Sequence, residues 1–342
     1  MTGRTRTHHR WLPGTLAGVL GFTILATTPR ADAPVGYYNS VDATSAATLR
    51  RTLHDVIDDH TRIPYTANAR DVWDVLKLAD QDPADPSRIL DVYKNASYPK
   101  AEGGNANYNR EHTWPKSYGF KKDGAGNYPF TDGHHLFLSD SRYNSSRSNK
   151  MYRGCDETCT EKPTDTNNGA GGGGTGTHPG TSNWTGTGRW ETWTGRRGDV
   201  ARALFYMDVR YEGGTHGVTS HSEPDLILTD DVSLVVSSTQ NEAVAHMGRI
   251  SDLLAWHRED PVDDLERQHT EAVFEAQGNR NPFVDNPQWV ACLFEDDCGP
   301  TDPSTDPGDG GVLQQILERI EAMEQQLNDL RNEVLQLRED QP

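Results

Sequence analysis

Apolar residues recur at helical spacing over much of the chain. From 43 to 61, Leu49, Leu53, Val56 and Ile57 fall on one face and predict an amphipathic helix, and 69–80 predicts a second. Residues 88–93 carry the apolar run of a short strand. Further along, 199–211 predicts a buried helix, and 242–259 and 262–277 predict two more, which make the C-terminal half α-rich. Between these blocks, 164–188 is rich in glycine, threonine and asparagine, with an unbroken run Gly171–Gly174, and predicts a mobile loop.

The two ends follow other patterns. Residues 1–33 read as a secretory signal: Arg4, Arg6 and Arg10 precede an apolar stretch, and Ala31-Asp32-Ala33 forms a small-x-small cleavage site. The apolar stretch from Leu12 to Thr28 is broken by Pro13 and glycines, and no second one follows, so no stable membrane association is expected. Residues 301–311, with Pro303 and Pro307, read as a linker. Residues 312–340 then carry a heptad array. Leu313, Ile320, Leu327 and Val334 occupy a positions, and Ile316, Met323, Leu330 and Leu337 occupy d. Arg319 with Glu324, and Glu333 with Arg338, fit g–e pairing in parallel chains. The short segment Arg319–Glu324 resembles a trimerisation motif. A parallel homotrimer through 313–337 is expected, with a dimer next. The remaining span, 34–300, is expected to form one globular domain.

The net charge of −18 is unevenly spread. Residues 100–210 hold 15 Lys and Arg against 12 Asp and Glu, whereas 211–300 hold 4 against 18. Lys116, Lys121, Lys122, Arg142, Arg147, Lys150, Arg153, Arg196 and Arg197 suggest a local basic cleft on an acidic body. Cys155 and Cys159 are close in sequence, as are Cys292 and Cys298. Two local disulfides are expected, with a four-cysteine zinc site as the rival.

Residues 109–149 concentrate the chemistry. They contain Asn109-Arg-Glu-His-Thr-Trp-Pro115, Thr131-Asp-Gly-His-His-Leu136 and Ser139-Asp-Ser-Arg-Tyr-Asn-Ser-Ser-Arg-Ser-Asn149. A histidine can deprotonate water near neutral pH. A carboxylate and an amide oxygen can hold a hard divalent cation. Arginines can hold phosphate oxygens. Glu111 and His112 are neighbours, and strand neighbours face opposite sides, so their convergence requires a bulge, a strand end or strong twist. Residues 139–149 read as a helix capped by Ser139 or Asp140, on which Asn144, Arg147 and Ser148 share a face.

This stretch resembles the bacterial endonuclease I family of secreted, non-specific nucleases, of the ββα-metal (His-Me finger) superfamily. Later segments fit as well: Arg197–Arg202, Glu223–Leu226, Trp256-His257 and Gln277–Phe283, so the resemblance covers roughly 36–290. It implies an α+β fold, a ββα-metal core at about 108–150 within an α-rich domain, and sugar-non-specific hydrolysis of DNA or RNA to 5′-phosphate and 3′-hydroxyl ends. His112 would be the general base. Glu111 and Asn144 would hold one Mg²⁺, or Ca²⁺ or Mn²⁺, in each active site. Arg110, Arg142 and Arg147 are the candidates to hold the phosphate. His134 is expected to be a packed, hydrogen-bonded residue, because His112 already supplies a base. Trp184 and Trp190 are expected to anchor the glycine loop, the alternative being a flap that stacks on nucleobases. The rival functions are a catalytically silent nucleic-acid-binding protein held together by its coiled coil, and an enzyme acting on another phosphodiester.

Overall fold

The computed structural model describes residues 32–167 and 171–299. The expected leader (save its last two residues), the linker at 301–311 and the heptad segment at 312–340 lie outside the described residues. Helix α1 (Ala46–Ile57) begins where the Thr48 amide donates to the Ser45 side chain, and it buries Leu49, Leu53 and Ile57 at one-turn spacing. It stops short of Thr61 because Asp58 is extended and Asp59 enters the left-handed region at φ 55. Helix α2 (Val72–Ala79) opens on a capping box between Asp71 and Asp74.

Two antiparallel pairs follow, β1 (Arg88–Leu90) with β2 (Ser97–Pro99), and β3 (Tyr108–His112) with β4 (Leu136–Asp140). Helix α3 (Ser141–Arg147) leaves β4 directly, and the amides of Arg142 and Tyr143 donate to its capping residue Asp140. Every residue of β4 is buried. Leu136 and Leu138 enter one apolar cluster with Val72, Leu76 and Val273, while Phe137 points into the other with Trp114, Phe205 and Tyr206. Alternation along the strand thus serves two cores, and the segment that carries α3 is held from both sides.

Strands β5 (Met151–Tyr152), β6 (Thr160–Lys162), β7 (Asn183–Gly186) and β8 (Arg189–Glu191) form one sheet in the order β5-β8-β7-β6. This corrects the loop expected over 164–188, whose last part is strand. Gly188 turns the chain between β7 and β8 at φ +68, a conformation that L side chains resist. Trp184 and Trp190 are 2 % and 0 % exposed, so they anchor this sheet and are not available to stack on a base.

Helix α4 (Arg197–Arg210) is buried along its whole length. Its arginines are tolerated inside because each meets carboxylate: Arg197 with Glu259, Arg202 with Glu266 at 2.6 Å, and Arg210 with Glu223 at 2.9 Å. Strands β9 (Asp225–Leu228) and β10 (Val244–Met247) pair in parallel, and helices α5 (Ile250–Glu259), α6 (Asp264–Gln277), α7 (Pro282–Asp285) and α8 (Trp289–Glu295) close the domain. The single helix expected over 242–259 is corrected to a strand followed by a helix. Val244 is exposed while Ala245 and Met247 are buried, a period of two, and Gly248 separates them from α5. Helix α6 ends at Gly278, at φ 87. Cys155 is bonded to Cys159 and Cys292 to Cys298, so the two local bridges are present and no cysteine is left for zinc. The outcome is the mixed α+β domain that the resemblance implies.

Candidate active site

Strand β3 pairs with β4 one to one, Tyr108 with Asp140 through to His112 with Leu136, so no bulge interrupts it. His112 is its last residue, and Pro115 follows in the loop beyond. The strand end is what allows Glu111 and His112 to line the same cleft. That cleft has a volume of about 440 Å³, and its walls include Asn109, Arg110, Lys116, Lys121, Asn144, Ser148 and Asn149.

His112 sits in an aromatic cage. Its ring lies 5.2 Å from that of Phe130, 5.4 Å from His135 and 5.7 Å from Tyr65. Nε2 is 3.0 Å from the Phe130 carbonyl oxygen. A carbonyl only accepts, so Nε2 bears the proton, and the lone pair resides on Nδ1, which has no hydrogen-bond partner among the described residues. Burial, with His135 nearby, holds the ring well below its ordinary pKa, so it is neutral at pH 7 and its lone pair is free to accept a proton.

Glu111 is 2 % exposed. Its Oε1 accepts from Arg147 Nη1 at 2.8 Å and from the Tyr93 hydroxyl at 2.8 Å. Oε2 has no hydrogen-bond partner among the described residues. Burial pushes this carboxyl up to about 7, against the pull of Arg147 and Tyr93. Asn144 Nδ2 donates to Asn109 Oδ1 at 2.7 Å and to the Arg110 carbonyl at 3.2 Å. That fixes the amide and leaves its Oδ1 without a hydrogen-bond partner among the described residues. Among the described residues no three His, Cys, Asp or Glu side chains converge as a metal cluster. The donor set here is smaller: one carboxylate and one amide oxygen, both unpartnered and both on the cleft. This set suits a hard divalent cation that completes its shell with water and phosphate oxygens.

The three candidate arginines separate. Arg110 lines the cleft, but its guanidinium is sandwiched between Tyr65, 3.3 Å from the ring centre, and Trp73, at 4.3 Å, and it donates to the Tyr65 carbonyl and to Thr66. Arg142 is exposed and is not part of the cleft wall. Arg147 is fully buried beneath the cleft. Lys116 and Lys121 do face it. Burial, then Lys121 and Arg110, lower the Lys116 pKa, and its ammonium lies 5.2 Å from the Phe130 ring centre. His134 and His135 are buried, with Nε2 donating to the carbonyls of Asn279 and Pro129, and neither lines the cleft. Sequence reasoning missed Tyr93 and Tyr65. Both lie outside the motifs, and nothing near them in the chain marks them.

Residues 45–288 match the family described as Endonuclease I. The chain is 38% identical over 266 residues to an extracellular ribonuclease of Bacillus amyloliquefaciens, covering 77% of this chain and 79% of the relative. It is also 38% identical over 265 residues to an extracellular ribonuclease of Bacillus subtilis (strain 168), with the same coverage of 77% and 79%. A match of that length, across every segment of the cleft, answers the alternative of a silent binding protein: the chain belongs to the endonuclease I family and is a nuclease.

Proposed function

We propose that this nuclease hydrolyses the phosphodiesters of RNA and DNA, using water activated by His112 and one divalent cation held by Glu111 and Asn144. Mg²⁺ is the expected ion, with Ca²⁺ or Mn²⁺ as substitutes. The observation that carries this reading is the convergence on one cleft of His112 with its unpartnered Nδ1, Glu111 with its unpartnered Oε2, and Asn144 with its unpartnered Oδ1, beside Lys116 and Lys121. When bound, the cation supplies Lewis-acid stabilisation of the charge on the phosphate and the leaving oxygen. His112 accepts the water proton at Nδ1, while the Phe130 carbonyl holds the ring through Nε2–H. Lys116 and Lys121 hold phosphate oxygens as point charges, and Arg110 braces the wall.

A water nucleophile needs no 2′-hydroxyl, so both sugars fit the chemistry, and the expected products carry 5′-phosphate and 3′-hydroxyl ends. The names of the two Bacillus relatives support RNA as a substrate and support export. Two disulfides, and the leader expected over 1–33, agree with secretion. The run of strand, strand and helix over 108–147 supports a ββα-metal core. The heptads at 313–337 support a parallel trimer, which would tether several active sites to one polymeric substrate.

The test is digestion of plasmid DNA and total RNA with Mg²⁺, with EDTA, and with His112→Ala. Metal-dependent cutting of both substrates, lost in the variant, is the expected result. Cutting that survives EDTA, or that His112→Ala leaves intact, would overturn the mechanism.

A further inference from the structure

Arg147 is a fully buried cation directly beneath the cleft, and its contacts are unusually concentrated. Nη1 donates to Glu111 Oε1 at 2.8 Å and to the His112 carbonyl at 2.9 Å, and Nη2 donates to the Thr113 carbonyl at 2.5 Å. Its guanidinium lies 4.3 Å from the Tyr152 ring centre. One side chain of α3 therefore holds the carboxylate of residue 111 and the backbone of residues 112 and 113.

A second donor reaches the same carboxylate oxygen. Tyr93, in the turn between β1 and β2, donates its hydroxyl to Glu111 Oε1 at 2.8 Å. The Tyr93 oxygen is also hydrogen-bonded to the Tyr152 hydroxyl. Each hydroxyl has one proton, and a carboxylate offers none, so the order is fixed: Tyr152 donates to Tyr93, and Tyr93 donates to Glu111. Such a chain polarises each bond in turn.

Both donors meet at Oε1 and neither touches Oε2. A carboxylate rotates easily about its last torsion, and two donors on one oxygen stop that rotation. A buried ion pair that served stability alone would be expected to satisfy both oxygens, since an unmet polar atom in the interior is costly. Here the second oxygen of a 2 %-exposed glutamate is left open toward the cleft. Resting on the reading of Glu111 as a metal ligand, we propose that Arg147 and Tyr93, backed by Tyr152, are positioning residues that aim Glu111 Oε2 at the cation. Arg147 couples that aim to the backbone of His112, so ligand and base keep one spacing.

The experiment is Mn²⁺ binding by electron paramagnetic resonance on the full chain, in the wild type, Glu111→Gln, Tyr93→Phe and Arg147→Lys. Tyr38→Phe removes a hydroxyl bond to Asp285, at 2.6 Å, away from the cleft, and serves as the control. Tyr93→Phe is expected to weaken Mn²⁺ roughly 10-fold and to lower kcat while KM for nucleic acid holds. Arg147→Lys keeps the charge but not the fork of contacts, and is expected to lose more. Tyr38→Phe is expected to bind as the wild type does. Near-UV circular dichroism checks the fold, and Tyr93→Phe carries the test if Arg147→Lys does not fold. Wild-type affinity in folded Tyr93→Phe, alongside loss in Glu111→Gln, overturns this inference alone. Binding that survives Glu111→Gln overturns the ligand assignment and this inference with it.

Discussion

Asp132 offers a sharp test of the buried scaffold behind the cleft, through replacement by asparagine. The residue is fully buried. Its Oδ2 accepts from the hydroxyls of Tyr206 and Tyr211, both at 2.8 Å, and its Oδ1 accepts from the His134 amide at 3.0 Å and from Gln277 Nε2 at 3.1 Å. Asparagine keeps the shape and one acceptor, so the His134 and Gln277 bonds survive with the amide oxygen on that side. The amide nitrogen then faces two hydroxyl donors. Tyr211 can turn its proton away and accept, but Tyr206 already accepts from Asn279 Nδ2 at 2.7 Å and is poorly placed to do so again. Two charge-assisted bonds are lost and one neutral bond is gained, which leaves a deficit of about 3–5 kcal/mol. A domain of this size should then melt roughly 10 °C lower. The turn Gly133–His135 that Asp132 caps lies just beyond Pro129 and Phe130, whose carbonyls hold His135 and His112. Urea titration followed by circular dichroism measures the deficit. A loss below about 1 kcal/mol would show that the tyrosine hydroxyls do not depend on this carboxylate, and would refute the reasoning.

Two further outcomes follow from named groups. Burial holds the His134 pKa down to about 4, so the unfolded chain takes the proton first; stability from this residue is complete above about pH 6.5 and is lost as pH falls toward about 4, a span of ~3 kcal/mol. His134→Gln retains a donor for the Asn279 carbonyl without titrating, so urea midpoints at pH 7 and pH 4 should show its deficit relative to wild type shrinking in acid, and a constant deficit would contradict the assignment. Lys121→Ala should weaken binding of single-stranded DNA in EDTA and reduce the slope of log affinity against log salt by about 0.7, as one phosphate contact is lost; an unchanged slope would remove Lys121 from the phosphate path.

What the sequence made legible depended on whether the pattern was local. Helices α1, α2 and α6 bury faces that repeat at helical spacing, Ser45, Asp71 and Asp263 cap them from adjacent positions, and α4 is a long apolar-rich run buried on every side, so all four are visible to within a few residues. Strand β10 was not visible. A short apolar run next to a true helix fits both periods, and pairing with β9, which decides between them, comes from a segment some twenty residues away. Strand β7 was hidden for another reason: glycine and threonine dominate its neighbourhood, while the tryptophans that hold the sheet reveal their burial only in three dimensions.

The site divides along the same line. Glu111, His112 and Asn144 lie in dense local motifs, and the antiparallel register brings their segments together as the motif order implies. Helical spacing groups Asn144, Arg147 and Ser148 but does not say which of them faces the cleft. Residues 144 and 148 line it, while 147 turns under β3 toward Tyr152. Counting charges has the same blind spot. Among the residues that suggested a basic cleft, Arg147, Arg196 and Arg197 are buried against Glu111, Asp199 and Glu259. Their charge is neutralised inside the fold and does little to attract a phosphate chain. The positive charge on the cleft wall then comes from Lys116, Lys121 and a braced Arg110. Lysine binds phosphate as a point charge, without the planar fork that reads a base edge. On the reading proposed here, a cleft walled in this way would grip the backbone and leave the bases unread, so cutting is expected to depend little on sequence.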